Sequence, residues 1–155
     1  MTFETRISEL GILLPAPAAP VAAYVPAVEA NGLLHISGQL PFREDGTLIT
    51  GRLGRDLSVE QGAEAALRCG IMLIAQMKSA LAGDLSRVIR IVRIGAFIAS
   101  TGDFTDQPKV ANGASELMQA VFGEAGLHAR SAVGVPVLPL GAAVEVDAIV
   151  AVRPD

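Results

Sequence analysis

The run from Val88 to Ser100 constrains this chain most. Val88, Val92, Ile94 and Ile98 occupy one of its alternating faces, and Ile89, Ile91 and Phe97 the other. Successive side chains of a strand point to opposite sides, so a segment apolar on both needs cover on both. This predicts a central strand with something packed against each face. The arginines at its start follow the same alternation: Arg87 and Arg93 share one face and Arg90 takes the other.

What could cover it is legible on either side. Ser58 and Gln61 have the spacing of a capping box. Val59, Ala63, Ala66, Leu67, Gly70, Ile74, Met77 and Leu81 then recur at helical spacing until Gly83. A second helix is predicted from Gln107 to Phe122, with Val110, Ala114, Leu117, Met118 and Val121 on one stripe. Asp106 stands at its cap and Gly123 at its stop. A short helix fits Glu4 to Leu10, ended by Gly11, and the prolines from Pro15 to Pro20 favour an extended arm. Strands are predicted at Tyr24–Ala30 and Leu33–Gln39, joined by Asn31-Gly32, a pair that tolerates the positive φ of a tight hairpin. Residues 42–56 read as a loop with room for a short strand. Two strands, Arg130–Val137 and Ala143–Val152, close the chain.

The order β-β-α-β-α-β-β predicts an α+β fold with one mixed sheet and two helices on one face. Residues 1–155 read as a single domain, with 1–23 as an N-terminal arm. Helices on one side leave the second apolar face of the central strand bare, and a second copy of the sheet is the economical cover. Composition agrees: hydrophobic residues are 51% of the chain and charged residues 18%. The alternative is simply an Ala-rich domain. A net charge of −4 without a basic run argues against a groove that tracks nucleic acid phosphates. Cys69, the single cysteine, lies in the first long helix pattern and fits a packed thiol. The first residues lack the plan of a signal peptide, and Gly, Pro and charge interrupt every apolar stretch. The expected setting is cytoplasmic, with no membrane partner.

Two ionisable groups sit inside strand patterns near the end. Arg130 shares a face with Ala132 and Gly134, small neighbours that would leave room for a ligand. A guanidinium can grip a carboxylate through two parallel bonds. The alternative is a structural ion pair with Glu145 or Asp147. Those two acids share one face of the last strand, suited to acid/base work or to a solvent-facing edge. Ser37 and His35 share a face of the second strand. Neighbours two apart do not converge for proton transfer, so Ser37 reads better as a hydrogen-bond donor to a ligand. His35, His128 and one cysteine form no metal cluster, and no phosphate-binding glycine motif supports a nucleotide; no metal or cofactor is expected.

Tyr24-Val25-Pro26, Ile36-Ser37-Gly38-Gln39-Leu40-Pro41, Ala129-Arg130-Ser131 and Val144-Glu145-Val146-Asp147-Ala148-Ile149 together resemble the RidA (YjgF-like) family of reactive intermediate deaminases. The likeness runs from about Tyr24 to Val152. It implies a chorismate-mutase-like fold, a homotrimer, and small-molecule sites in the clefts between subunits. It implies hydrolysis of enamine/imine acids, such as 2-aminoacrylate or 2-iminobutanoate, to 2-keto acids and ammonia. In the same way Arg130 matches the residue that binds the substrate carboxylate, and Glu145 the one that positions the attacking water. Tyr24 and Ser37 match the cleft tyrosine and serine, and Asn112 an asparagine of the cleft wall. Ala132 stands where the family often has Cys, at a position whose main-chain carbonyl is the group usually invoked.

Ser100–Gly113 looks longer than in the typical deaminase, and the chain looks like a side branch. Two further readings stand: a trimeric binder or sensor of small carboxylates, and an RNA-cleaving enzyme. With the last two strands paired antiparallel around a turn at Pro139–Gly141, Arg130 would lie level with Val150. Glu145 would then be more than ~15 Å away in the same subunit. The expectation is a site that takes Arg130 and Glu145 from different chains.

Overall fold

The computed structural model describes residues 1–17 and 23–155; residues 18–22 of the expected arm lie outside them. The described residues form helix α1 (Phe3–Glu9), strands β1 (Ala27–Ala30) and β2 (Leu33–Gln39), helix α2 (Val59–Ala80), strand β3 (Val88–Ala99), helix α3 (Gln107–Phe122), and strands β4 (Ala129–Val135) and β5 (Val144–Val152). The sheet order is β1-β2-β5-β3-β4. This is the expected α+β plan, and the short helix expected at Glu4–Leu10 is α1.

Local signals act where the sequence puts them. Asn31 and Gly32 take φ of 52° and 75°, turning β1 into β2. Ser58 accepts from the Gln61 amide and Gln61 reciprocates on the Ser58 amide, closing the capping box of α2. Gly123 ends α3 at φ 63°. Asp106 does occupy the N-cap of α3, but its carboxylate makes no capping bond and faces Lys109 at 3.5 Å instead. Tyr24–Pro26 stay outside β1, which is shorter than expected because its pairing with β2 starts at Ala27.

The antiparallel pairing of the last two strands is not found. β5 inserts between β2 and β3, antiparallel to both, while β4 lies beyond β3 and runs parallel to it. A parallel neighbour needs a crossover, and α3 supplies it. The turn at Pro139–Gly141 exists, with Leu140 at φ 59°, but it carries the chain across β3. Arg130 is therefore level with Ala148, through Ile94, and Glu145 is level with Val133, through Phe97.

β3 is an interior strand, yet its alternation is interrupted. Two register shifts against β5, between Val88 and Arg90 and between Ile91 and Arg93, turn Val88, Ile91 and Ile94 all toward the helices. The predicted arginine faces are corrected for that reason. Arg90 and Arg93 align with Ala151 and Ile149 on one side. Arg87 precedes the strand, buried, and bonds Glu29 at 2.8 Å and Asp155 at 3.0 Å.

The core lies between the sheet and α2 and α3. Gly62, Gly70 and Gly113 let the two helices approach closely; a side chain at Gly113 would run into the backbone of Ala63. Cys69 is fully buried, its thiol pushed up first by burial and then by the charge of Glu145. The N-terminal segment packs rather than trailing: Ile7 is buried, and Phe3 meets Phe122 edge-on at 4.9 Å between centroids. No helix among the described residues is long and apolar enough to cross a membrane. The other side of the sheet has no cover among the described residues, and Val28, Ile89, Val92 and Val133 stand exposed.

Candidate functional site

Arg130 projects from β4 onto the helix face, at the sheet's parallel edge and under α3. Its Nη1 donates to Asn112 Oδ1 at 2.9 Å and to Ser115 Oγ at 3.0 Å, and its Nη2 to the Pro108 carbonyl at 3.4 Å. All three acceptors are neutral and come from α3. No ion pair among the described residues includes Arg130, so the alternative of a mate in Glu145 or Asp147 does not hold within the chain. Of five guanidinium protons three are engaged, and those left include the one on Nε.

The room expected over Ala132 and Gly134 is filled. Ala132 packs against the core, and a side chain at Gly134 would meet Ser100 Oγ at 2.6 Å and Gln107 Nε2 at 2.8 Å. These residues are small because α3 and the strand end close over them. The free space beside Arg130 is the uncommitted edge of its guanidinium rather than a hollow above its neighbours.

Sequence reasoning weighed His128 only as a metal ligand and passed over Ser115. The structure joins both to Arg130: Ser115 Oγ lies 2.9 Å from His128 Nε2, and His128 Nδ1 lies 2.6 Å from the Gly126 carbonyl. Burial holds His128 below the usual histidine range; the Gly126 bond opposes this, and the Arg130 charge adds to it. The signal was available in spacing, since Ser115 is one helical turn from Asn112 and His128 is one strand repeat from Arg130.

A second group forms on the uncovered face. Between Ile36 and Gln39, β2 advances three residues while β5 advances two, a bulge that holds Ser37 and Gly38. The Glu145 side chain lies across Gly38, where a Cβ would come within 2.8 Å of its carboxyl. Beyond the bulge Gln39 turns inward and accepts from Gln76 at 3.4 Å. The Ser-Gly-Gln motif is thus a device that lets the Glu145 carboxyl lie flat on the sheet. Burial first, and the neighbouring Asp147 charge second, push Glu145 above the usual carboxylate range. Asp147 itself accepts from the Gly95 amide at 3.0 Å. Both acids lie on the middle strand of the sheet rather than on an edge.

Ser37 donates its hydroxyl to the Val25 carbonyl at 3.0 Å, and its amide to the Pro26 carbonyl at 2.9 Å. As a donor it is spent on the chain itself, where it ties down the exposed Tyr24 segment; toward a ligand it is left as an acceptor. The structure therefore gathers Arg130 with Asn112, and Glu145 with the Ser37–Gly38 bulge and the Tyr24 segment. It does not join the two groups. They lie on opposite faces, two strands across and three residues along, so the separation is on the order of 14 Å before sheet thickness is counted.

The family model described as "YjgF/chorismate_mutase-like, putative endoribonuclease" matches residues 4–151. The chain belongs to the YjgF/RidA family. Protein TCP17 of Trypanosoma cruzi is 52% identical over 146 residues, covering 94% of this chain and 91% of that protein. The crystal structure of protein Atu1372 of Agrobacterium tumefaciens, described as of unknown function, matches with a TM-score of 0.91 at 45% identity. It covers 97% of this chain and 92% of that one. The 2-iminobutanoate/2-iminopropanoate deaminase of Dermatophagoides farinae is 26% identical over 143 residues, 92% of this chain and 95% of that protein. As a YjgF/RidA member the chain carries the chorismate-mutase-like fold expected of the resemblance.

Proposed function

We propose that this YjgF/RidA chain acts as a homotrimer that hydrolyses small enamine/imine acids of the 2-aminoacrylate or 2-iminobutanoate type to 2-keto acids and ammonia. The observation that carries the reading is Arg130, a guanidinium with no carboxylate partner among the described residues and with donors to spare. The likeness to a named imine deaminase supports the same chemistry.

In this reading Arg130 of one subunit grips the substrate carboxylate, and Glu145 of a neighbour faces the imine carbon. Water adds to the carbon of the protonated imine as Glu145 takes one of its protons, and the C=N bond becomes a single bond to a neutral amine. Glu145 passes that proton to the nitrogen and takes the hydroxyl proton as the C–N bond breaks, so ammonia leaves and the keto group forms. An imine carbon is already electrophilic, so orientation and one base suffice. A carboxyl raised toward neutral pH is a better acceptor for that proton than an ordinary one. Tyr24, Ser37 and the main chain at Ala132 line the cleft, and Asn112 steadies Arg130. The trimer is supported by the exposed apolar residues of the uncovered face and by the opposite placement of the two groups in one chain. The net charge of −4 weighs against RNA as the substrate.

The test couples a serine or threonine dehydratase to this protein and follows release of the keto acid. Faster release than the uncatalysed control, lost in Arg130→Ala and in Glu145→Ala, is expected. No acceleration by the wild-type trimer overturns the reading. Loss of keto-acid binding in Arg130→Ala alone, with no turnover in any form, identifies a carboxylate binder instead.

A further inference from the structure

We infer that Ser115 and His128 are positioning residues that decide which edge of the Arg130 guanidinium meets a substrate carboxylate. The inference rests on the reading of Arg130 as the carboxylate anchor and adds to it the orientation of the bound acid.

The proton positions follow from the acceptors. A carbonyl oxygen only accepts, so His128 Nδ1, 2.6 Å from the Gly126 carbonyl, carries the hydrogen. In the neutral ring Nε2 then carries a lone pair. Ser115 Oγ, 2.9 Å away, has a single proton, and it points at that lone pair. The oxygen's own lone pairs are turned toward Arg130 Nη1 at 3.0 Å. Donation therefore runs one way, from Arg130 to Ser115 to His128 to Gly126. Without the imidazole acceptor the hydroxyl proton would be free to rotate toward the guanidinium, where it repels.

Gly126 has a specific part in this. Any side chain there would collide with the backbone carbonyl of Met118, so glycine lets the turn after α3 lie against that helix and bring its carbonyl to His128. Asn112 Oδ1 takes the second Nη1 proton at 2.9 Å, and Nη1 is saturated. The end-on fork, which needs Nη1, is closed to a ligand. The Nε/Nη2 edge is the one left for two parallel bonds to a carboxylate. The long 3.4 Å contact to Pro108 draws on only one of the two Nη2 protons.

The test compares Ser115→Ala, Ser115→Thr, His128→Phe and Arg130→Ala with wild type in imine hydrolysis and in calorimetric binding of 2-oxobutanoate, with melting curves as the control for folding. Ser115→Ala and His128→Phe are expected to raise KM, and Kd for 2-oxobutanoate, about tenfold, with little change in kcat, because an anchor binds ground state and transition state alike. Ser115→Thr keeps the hydroxyl and restores both constants. If His128→Phe fails to fold, the Ser115 pair alone carries the test. Wild-type constants in Ser115→Ala beside a crippled Arg130→Ala overturn the positioning role and leave the deaminase reading intact. A wild-type protein that neither hydrolyses imines nor binds 2-oxobutanoate removes the anchor itself.

Discussion

Along β5, Val144, Val146, Ala148 and Val150 are sealed beneath the helices, while Glu145, Asp147, Ile149 and Ala151 on the reverse of the same strand are only partly buried. The first face is finished within one chain: α2 and α3 close over it with glycines at their contact, and α1 packs alongside. The second face mixes aliphatic residues with two carboxylates and with Arg90 and Arg93, and ends against solvent. Burial of ionisable groups is costly unless they are used or matched. A face that keeps ionisable and apolar side chains together at the surface is one that a partner could complete. The helix face holds the core and Arg130; the reverse holds Glu145 and the apolar residues left exposed in the single chain.

That contrast can be broken first on β3, where Ile94 and Val92 lie on its two sides. Ile94→Ala is expected to lower the unfolding free energy by about 3 kcal/mol in denaturant titration, the range for a fully buried aliphatic. The same change at Val92 is expected to cost under about 1 kcal/mol in a dissociated chain. A charge at that position probes the role of the face: Val92→Glu is expected to shift the light-scattering mass from trimer to monomer without loss of helical circular dichroism. An unchanged mass would mean that this face is not where copies meet. Ser58→Ala sharpens the helix side, with an expected loss of about 1 kcal/mol from the capping box and no effect on assembly.

The smallest effect concerns Glu145. Its folded value is raised above the ordinary 4.5, chiefly by burial, so folding takes up a proton in the window between the two values. The group's contribution to stability falls as pH climbs through that window and is unfavourable at neutral pH. Glu145→Gln is therefore expected to raise Tm at pH 7 by about 1 °C while turnover falls. A lower Tm at neutral pH would show that the ionised carboxylate is matched in the assembled protein.

Much of the fold was legible because its signals are local. Asn31-Gly32, the Ser58–Gln61 pair and Gly123 act within a few residues of themselves, and helical spacing located α2 and α3. Strand partners are set by contacts distant in sequence, so nothing in Arg130–Val137 or Ala143–Val152 revealed that β3 would come between them. The bulges were hidden for a related reason: strict alternation assigns Ile89 and Ile91 to one face, and a single extra residue moves Ile91 to the other. At the candidate site Arg130 and Glu145 stood out as charges in apolar strands. Ala132 and Gly134 misled, since small side chains mark a close neighbour as readily as an empty space. The spacing that ties Ser115 to Asn112 and His128 to Arg130 gains its meaning only once the crossover sets α3 beside β4, a contact distant in sequence.

α3 supplies all three acceptors of Arg130 and is also the crossover that makes β4 possible. The aim of the guanidinium is therefore inherited from how that helix is seated. Gly113, which faces α2 beside Asn112 in the chain, thus ties the packing of two helices to the direction in which one arginine points.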